Sequence, residues 1–382
     1  MKISADSPAT RLATRLSFLV AGFGISCWAP LVPFAKERLQ IDSAMLGLLL
    51  LCIGIGSILA MLATGPLSAR YGGKPVIVIS GIALALILPL LTIAATPLTL
   101  GGVLLLFGAA LGSLDVAMNV HAVEVEKAAP KPMMSGFHAL FSIGGFAGAA
   151  LMTLFLSLKV SALAGSLVCA AMMLVAMLIA WPRLLPAVQA EDAPLFVRPH
   201  GVVVLLAVLA MATFLAEGAM LDWSALLITQ MGLVGATQGG LGYILFAIAM
   251  TTGRLLGDGL TARLGDYWTL LGGGLVAVAG FAVLLSVPVA LIALGGFLLI
   301  GLGASNIVPV LFRIAGSQTH MPAALAIGAI TTLGYAGILA GPAGIGVVAE
   351  MVGLKTAFWM LAVLLLLVPF TARRTARAAG LA

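Results

Sequence analysis

GGVLLLFGAALGSLDVAMNVHAVEVEK (residues 101–127) decides how this chain is read. Between Gly101 and His121 it carries one ionisable side chain, Asp115. About 20 apolar residues form a helix roughly 30 Å long, which matches the hydrocarbon thickness of a bilayer. A bare carboxylate there costs ~2.5–3.5 kcal/mol on insertion scales, so a chain that keeps one commonly uses it on the path of a solute, ion or proton. The other use is structural, as an acid hydrogen-bonded to a neighbouring span.

The rest of the chain has the same character. Hydrophobic residues make up 62% of the 382 positions and charged residues 8%, against roughly 45–50% and 25% in soluble domains. This excludes a large soluble core and predicts an all-α membrane protein. Twelve runs are long and apolar enough to span, at about 14–34, 44–66, 75–95, 98–122, 133–156, 161–181, 202–229, 237–262, 267–286, 289–312, 322–349 and 355–371. The longest polar connection, RLLPAVQAEDAPLFVRPH, separates six spans from six. The expected domains are therefore a bundle over 1–182, a cytoplasmic linker over 183–200 and a second bundle over 201–382. The run after Arg11 and Arg15 continues to about Pro33 without a small-residue cleavage site, so it reads as the first span and not as a removable leader. Cys27, Cys52 and Cys169 lie in apolar runs and imply no disulfide framework.

Charge placement predicts orientation. With both termini cytoplasmic, Lys36, Arg38, Lys159 and Lys355 face out, and the other 15 of the 19 Lys and Arg face in. The net charge of +6 is then a matter of topology, and no nucleic-acid partner is implied. The membrane expected is a bacterial-type inner (cytoplasmic) membrane.

The two halves echo each other. Trp28 matches Trp223, an offset of 195. LSARYG (67–72) matches LTARLG (260–265), an offset of 193. ALGSLD (110–115) matches GLGASN (301–306), an offset of 191. GFAG (145–148) matches GYAG (334–337), an offset of 189. Four matches in order, with smoothly drifting offsets, indicate a parallel repeat of two pseudo-symmetric six-helix bundles, an architecture of secondary transporters.

Twelve spans in a 6+6 repeat, with these turns after spans 2 and 8, resemble the major facilitator superfamily over the whole chain. LDVAMN in span 4 is similar to the Leu-Glu-x-Ala-x-Asn pattern of fucose-permease-like proton–sugar symporters. Phe137-His138 falls where that branch has Phe-Asn, and GRLLGDGLTARLG (253–265) resembles its span 8 turn. The resemblance implies alternating access, a small polar, sugar-like solute, and a span 4 acid that carries the coupling proton. That acid would be Asp115. The branch also has an acid in span 1, whereas FLVAGFGISCWAPLVPF (18–34) has none, so Asp115 would couple alone or with Glu217. Spans 1, 4, 7 and 10 line the path in this superfamily.

Other side chains could share the chemistry. Asp115 and Asn119 are i and i+4 on one helix face, and Glu126 lies close to the same stripe about 16 Å further on. Glu217 in span 7 is a second proton or substrate group, or the partner of an arginine or amide on an adjacent helix. Asp222 reads as interfacial. Asn306, the repeat partner of Asp115, suits solute hydroxyls or an interhelical hydrogen bond, and Pro309 beside it would kink span 10. His138 suits substrate contact or packing. Trp28 and Trp223 suit stacking on a sugar ring or anchoring at the interface. GPLSARYGGKP (65–75) resembles the superfamily's cytoplasmic turn, but Ala69 stands where the family usually has an aspartate that caps a neighbouring helix. Arg70 and Arg263 remain, and Asp258 is available in the second half, so these three and Pro309 are the candidate gate.

No enzyme is expected: there is no nucleotide-binding glycine loop, no metal-spaced His/Cys cluster and no nucleophile with a paired base. Neither a cofactor nor a metal is called for. The expected partners are a solute, a proton and the lipid bilayer around a monomer. The alternatives are a proton-linked exporter and a non-transporting membrane sensor or assembly protein. Span 5 lacks the exporters' proline and span 4 their arginine, which counts against an exporter.

Overall fold

The structure, a computed structural model, describes residues 4–186, 198–235 and 238–378. The expected linker 183–200 lies in part, over 187–197, outside the described residues. Every regular element among the described residues is a helix.

Local sequence sets the helix boundaries. α1 (Pro8–Trp28) starts at Ser7, whose side chain accepts from the Thr10 amide. A short 3-10 turn joins it to α2 (Val32–Leu39). α3 (Ser43–Tyr71) starts at Asp42, which accepts from the Met45 amide. α4 (Gly73–Ile93) follows at once, because Gly72 at φ 79 turns the chain. α5 (Pro97–Ala128) begins in a reciprocal Thr96–Thr99 capping box with Pro97 in the first turn. α6 (Met134–Ser157) and α7 (Ala162–Ala180) complete the first six spans. The second six comprise α8 (Val202–Gln230), α9 (Leu241–Ser286), α10 (Ala290–Ala304), α11 (Ile307–Ser317), α12 (Ala323–Val352), α13 (Leu354–Leu365) and α14 (Leu367–Arg377).

Among the described residues, eleven segments are long and apolar enough to cross a membrane. The 46-residue α9 holds two of the expected spans, joined at Gly265, whose φ of 79 and ψ of 169 lie outside the helical region. Divided there, the twelve expected spans are all present. The turn predicted between spans 8 and 9 is thus a one-residue kink and not a loop. Gly72 occupies the equivalent place in the repeat, 193 positions earlier, with φ 79 and ψ 164. The repeat read from sequence therefore reproduces an unusual backbone conformation, one that glycine adopts without steric cost.

The chain forms two compact units. One comprises Met1–Pro130, Phe137–Arg198 and Pro322–Gly328. The other comprises Lys131–Gly136, Pro199–Met321 and Ala329–Ala382. Each includes the opening turns of a helix that continues into the other. In the first unit, α3 and α5 approach closely: a Cβ added at Gly108 would lie 2.0 Å from the Ile53 carbonyl oxygen, and one at Gly56 would lie 2.0 Å from that of Leu105. Small residues that allow backbone contact are the usual means of helix association in lipid. Gly65 of α3 lies against the start of α12, where an added Cβ would be 3.4 Å from the Ala324 oxygen and 3.6 Å from Gly328 Cα. In the second unit, Phe281, Phe297 and Phe358 are enclosed in an apolar core.

Candidate functional site

In the first unit, α5 carries the site. Asp115 is buried at 8% exposure and Asn119 is fully buried. Asn119 Nδ2 donates to the Asp115 backbone oxygen at 2.8 Å and to Asp115 Oδ1 at 3.3 Å. The i, i+4 spacing thus brings the two together as expected. Asn119 Oδ1 is buried with no hydrogen-bond partner among the described residues. A carboxylate and an open amide acceptor side by side form a group that accepts from donors, such as solute hydroxyls or a transferred proton.

His138 is buried near the start of α6. The Phe18 ring meets it edge-on with centroids 5.2 Å apart, and Phe18 stacks on Phe137 at 5.8 Å. Trp28 is buried at the end of α1, and its Nε1 has no partner among the described residues. Glu126 is buried on α5, while Arg70 is exposed and lies over the Tyr71 ring at 5.5 Å.

In the sequence His121 marks only the end of an apolar run. It is buried, and its Nε2 accepts from the Leu185 amide at 3.0 Å. Nδ1 therefore carries the proton and donates to Thr14 Oγ1 at 3.2 Å, and Thr14 in turn donates to the Thr10 oxygen at 2.9 Å. This relay ties α1, α5 and the residues after α7 together. Hydroxyls at Thr10 and Thr14, one helical turn apart at the start of the first span, were the signal available in the sequence.

In the second unit, Glu217 of α8 pairs with Arg254 of α9. Nη2 lies 3.4 Å from both carboxylate oxygens, and the side chains are 9% and 19% exposed for Arg254 and Glu217. Of the two uses open for Glu217, the structure supplies the ion pair with an adjacent helix. Arg254 itself corrects the charge count. It lies thirteen residues into α9 and faces Glu217, so it is not an inward-facing loop cation. The orientation expected from the sequence then rests on 14 Lys and Arg against 4.

Asn306 sits in the break between α10 and α11. Pro309 has no amide hydrogen to return to the Ser305 carbonyl, and the helix interrupts there as expected of a kink. Asn306 Nδ2 donates to the Gly253 oxygen at 3.0 Å and to Ser305 Oγ at 2.9 Å. This is the interhelical bond foreseen as one of its two uses. Asn306 Oδ1 has no partner among the described residues. The amide fits only because α9 has no side chain at Gly257, where an added Cβ would lie 1.7 Å from Oδ1. Trp223 is half-buried against Gly346, Asp222 is exposed, and Arg263 is exposed on α9.

Asp258 caps α6. Its Oδ1 accepts from the Ser135 amide and its Oδ2 from the Gly136 amide, each at 2.9 Å. A carboxylate at a helix N-terminus satisfies free amides and meets the positive end of the helix dipole. Asp258→Ala should lower stability by about 1–2 kcal/mol, read as a drop in melting temperature of the purified protein. An unchanged melting temperature would show the cap to be idle.

Comparisons with known proteins agree with this architecture. The sequence profile of the Major Facilitator Superfamily matches residues 16–342. An uncharacterized MFS-type transporter of Yersinia pestis is 50% identical over 368 residues, covering 96% of each chain. An uncharacterized transporter of Sinorhizobium fredii is 31% identical over 347 residues, covering 90% of this chain and 92% of its own. Among solved structures, the MFS transporter FucP in its outward conformation superposes with a TM-score of 0.79 at 15% identity, over 97% of this chain and 99% of that one. A second structure describes the same protein as the E. coli fucose:proton symporter.

Proposed function

This chain belongs to the major facilitator superfamily and is a multi-pass membrane transporter; on that footing we propose that it moves a small polar, sugar-like solute by proton-coupled alternating access of its halves, residues 1–182 and 201–382. Asp115 takes and releases the coupling proton. Asn119 holds the carboxyl group and offers its Oδ1 to a hydroxyl of the solute. The observation that carries this is the buried Asp115–Asn119 pair with its open acceptor. The fold likeness to a fucose:proton symporter supports the solute class by analogy. His138 and Trp28 are further solute contacts in this scheme, with Trp223, the repeat counterpart of Trp28, and Asn306, the counterpart of Asp115, in the second half. Arg70, Asp258, Arg263 and Pro309 belong to the gate. Glu217 is committed to Arg254, which leaves Asp115 as the coupling acid. The protein works as a monomer in the inner membrane with both termini in the cytoplasm.

The test uses purified protein in liposomes under an imposed pH gradient, with a panel of labelled sugars and polyols. Wild type should accumulate at least one solute and move protons with it. Asp115→Asn should reduce gradient-driven accumulation to the level of empty liposomes. Undiminished proton and solute movement in the variant would sink the coupling role. Solute efflux driven by inward proton flow would make the protein an exporter.

A further inference from the structure

Two cavities of the second unit share a wall. The first is a groove of ≈ 550 Å³ along α9 and α10. Its sides are mostly leucines turned outward, with Leu256 66% exposed, and its floor is opened by glycine: a Cβ added at Gly259 or Gly272 would meet nothing within 4 Å, while Arg263 and Asn306 are part of its polar lining. In a membrane-spanning chain such a face is bathed in lipid tails. From Leu256 to Leu264 the groove runs about 12 Å along the helix.

The second cavity, ≈ 740 Å³, begins where the first ends, with Leu264 and Trp268 lining both. Here the chemistry changes. Arg313, Arg373 and Arg377 line this cavity. Arg313 is paired with Asp266 at 2.5 Å. Arg373 and Arg377, one turn apart on the exposed face of α14, make no ion pair or hydrogen bond with the described residues. Trp268, 57% exposed and edge-on to Tyr267 at 4.9 Å, stands at the join. Indole and phenol rings are the side chains that favour the headgroup level of a bilayer.

An apolar slot that ends in a tryptophan and two un-neutralised arginines matches a molecule with an acyl chain joined to an anionic headgroup. A soluble anion would use the arginines and leave the slot idle. A neutral lipid would use the slot and leave the arginines idle. We propose that this composite site holds one anionic phospholipid, with its phosphate on Arg373 and Arg377 and an acyl chain in the α9–α10 groove. By the charge count these arginines face the cytoplasmic leaflet, where anionic lipid supplies such ligands.

Native mass spectrometry of the full-length protein, titrated with phosphatidylglycerol or phosphatidylcholine of the same chain length, tests this. Each arginine near a lipid phosphate contributes roughly fivefold to retention, so wild type should hold phosphatidylglycerol well over tenfold better. Arg373→Gln/Arg377→Gln should erase that preference and keep weak binding of both lipids. Gly272→Leu, which projects into open space, should fill the slot and weaken both lipids with an unchanged melting temperature. Inorganic phosphate at millimolar concentration should displace neither. Equal retention of the two lipids by wild type would overturn the proposal. So would undiminished phosphatidylglycerol binding in either variant, or displacement of the lipid by phosphate alone.

Discussion

Glu217→Leu should destabilise the protein by about 3 kcal/mol, the lower end of what removing one partner of a buried ion pair costs, because Glu217 keeps part of its side chain exposed. The Arg254 guanidinium would keep its charge, since arginine does not deprotonate in proteins, and would lose the carboxylate that faces it across α8 and α9. The double substitution Glu217→Leu/Arg254→Met removes both charges at similar volume and should recover most of the loss, because a well-packed apolar pair often replaces a buried ion pair without penalty. Melting curves of the three variants in one detergent give the comparison. If Glu217→Leu alone melts with wild type and instead abolishes proton movement, Glu217 is a second coupling acid and the pair is incidental.

Gly257→Ala should be nearly as damaging, although it adds one methyl group. The new Cβ would meet Asn306 Oδ1 at 1.7 Å and Ser135 Cβ at 2.7 Å. Asn306 would have to swing away, giving up its bond to the Gly253 oxygen. Overpacking costs about 1–3 kcal/mol, and a buried amide stranded without its partner adds about 1–3 kcal/mol. Gly259→Ala, two residues on, is the control. A Cβ there meets nothing, and alanine is the better helix former by about 1 kcal/mol. Equal melting temperatures for the two variants would remove the close contact between α9 and the α10–α11 break.

Much of this was legible in the sequence. Hydropathy over runs of about 20 residues marks spans because the bilayer leaves backbone groups no other way to be satisfied. The repeat was legible because the equivalent turns retain glycine where the backbone requires it, at Gly72 and Gly265. Asp258 reads as a gate candidate from the family resemblance, and its cap on α6 is local geometry of the kind that placement implies. Depth was not legible. Arg254 sits in GRLLGDG, which reads like the edge of a turn, and its partner lies 37 residues away. His121 was missed for a related reason: Thr14 is 107 residues away and Leu185 is 64. Pairs of polar groups so distant in sequence leave no spacing to read.

The two halves of the repeat hold the equivalent helix starts by different forces. Asp258 fixes the opening turn of α6 with two hydrogen bonds from a carboxylate. At the matching position, 193 residues earlier, Gly65 rests against the opening of α12 through backbone contact alone. Twin fastenings would leave the two halves equivalent at these helix starts; the two found here do not. A hybrid assembled from two copies of the first half would have no electrostatic fastening, and one assembled from two copies of the second would have two. The asymmetry between the halves is therefore carried in part by a single carboxylate that one half possesses and the other replaces with a hydrogen atom.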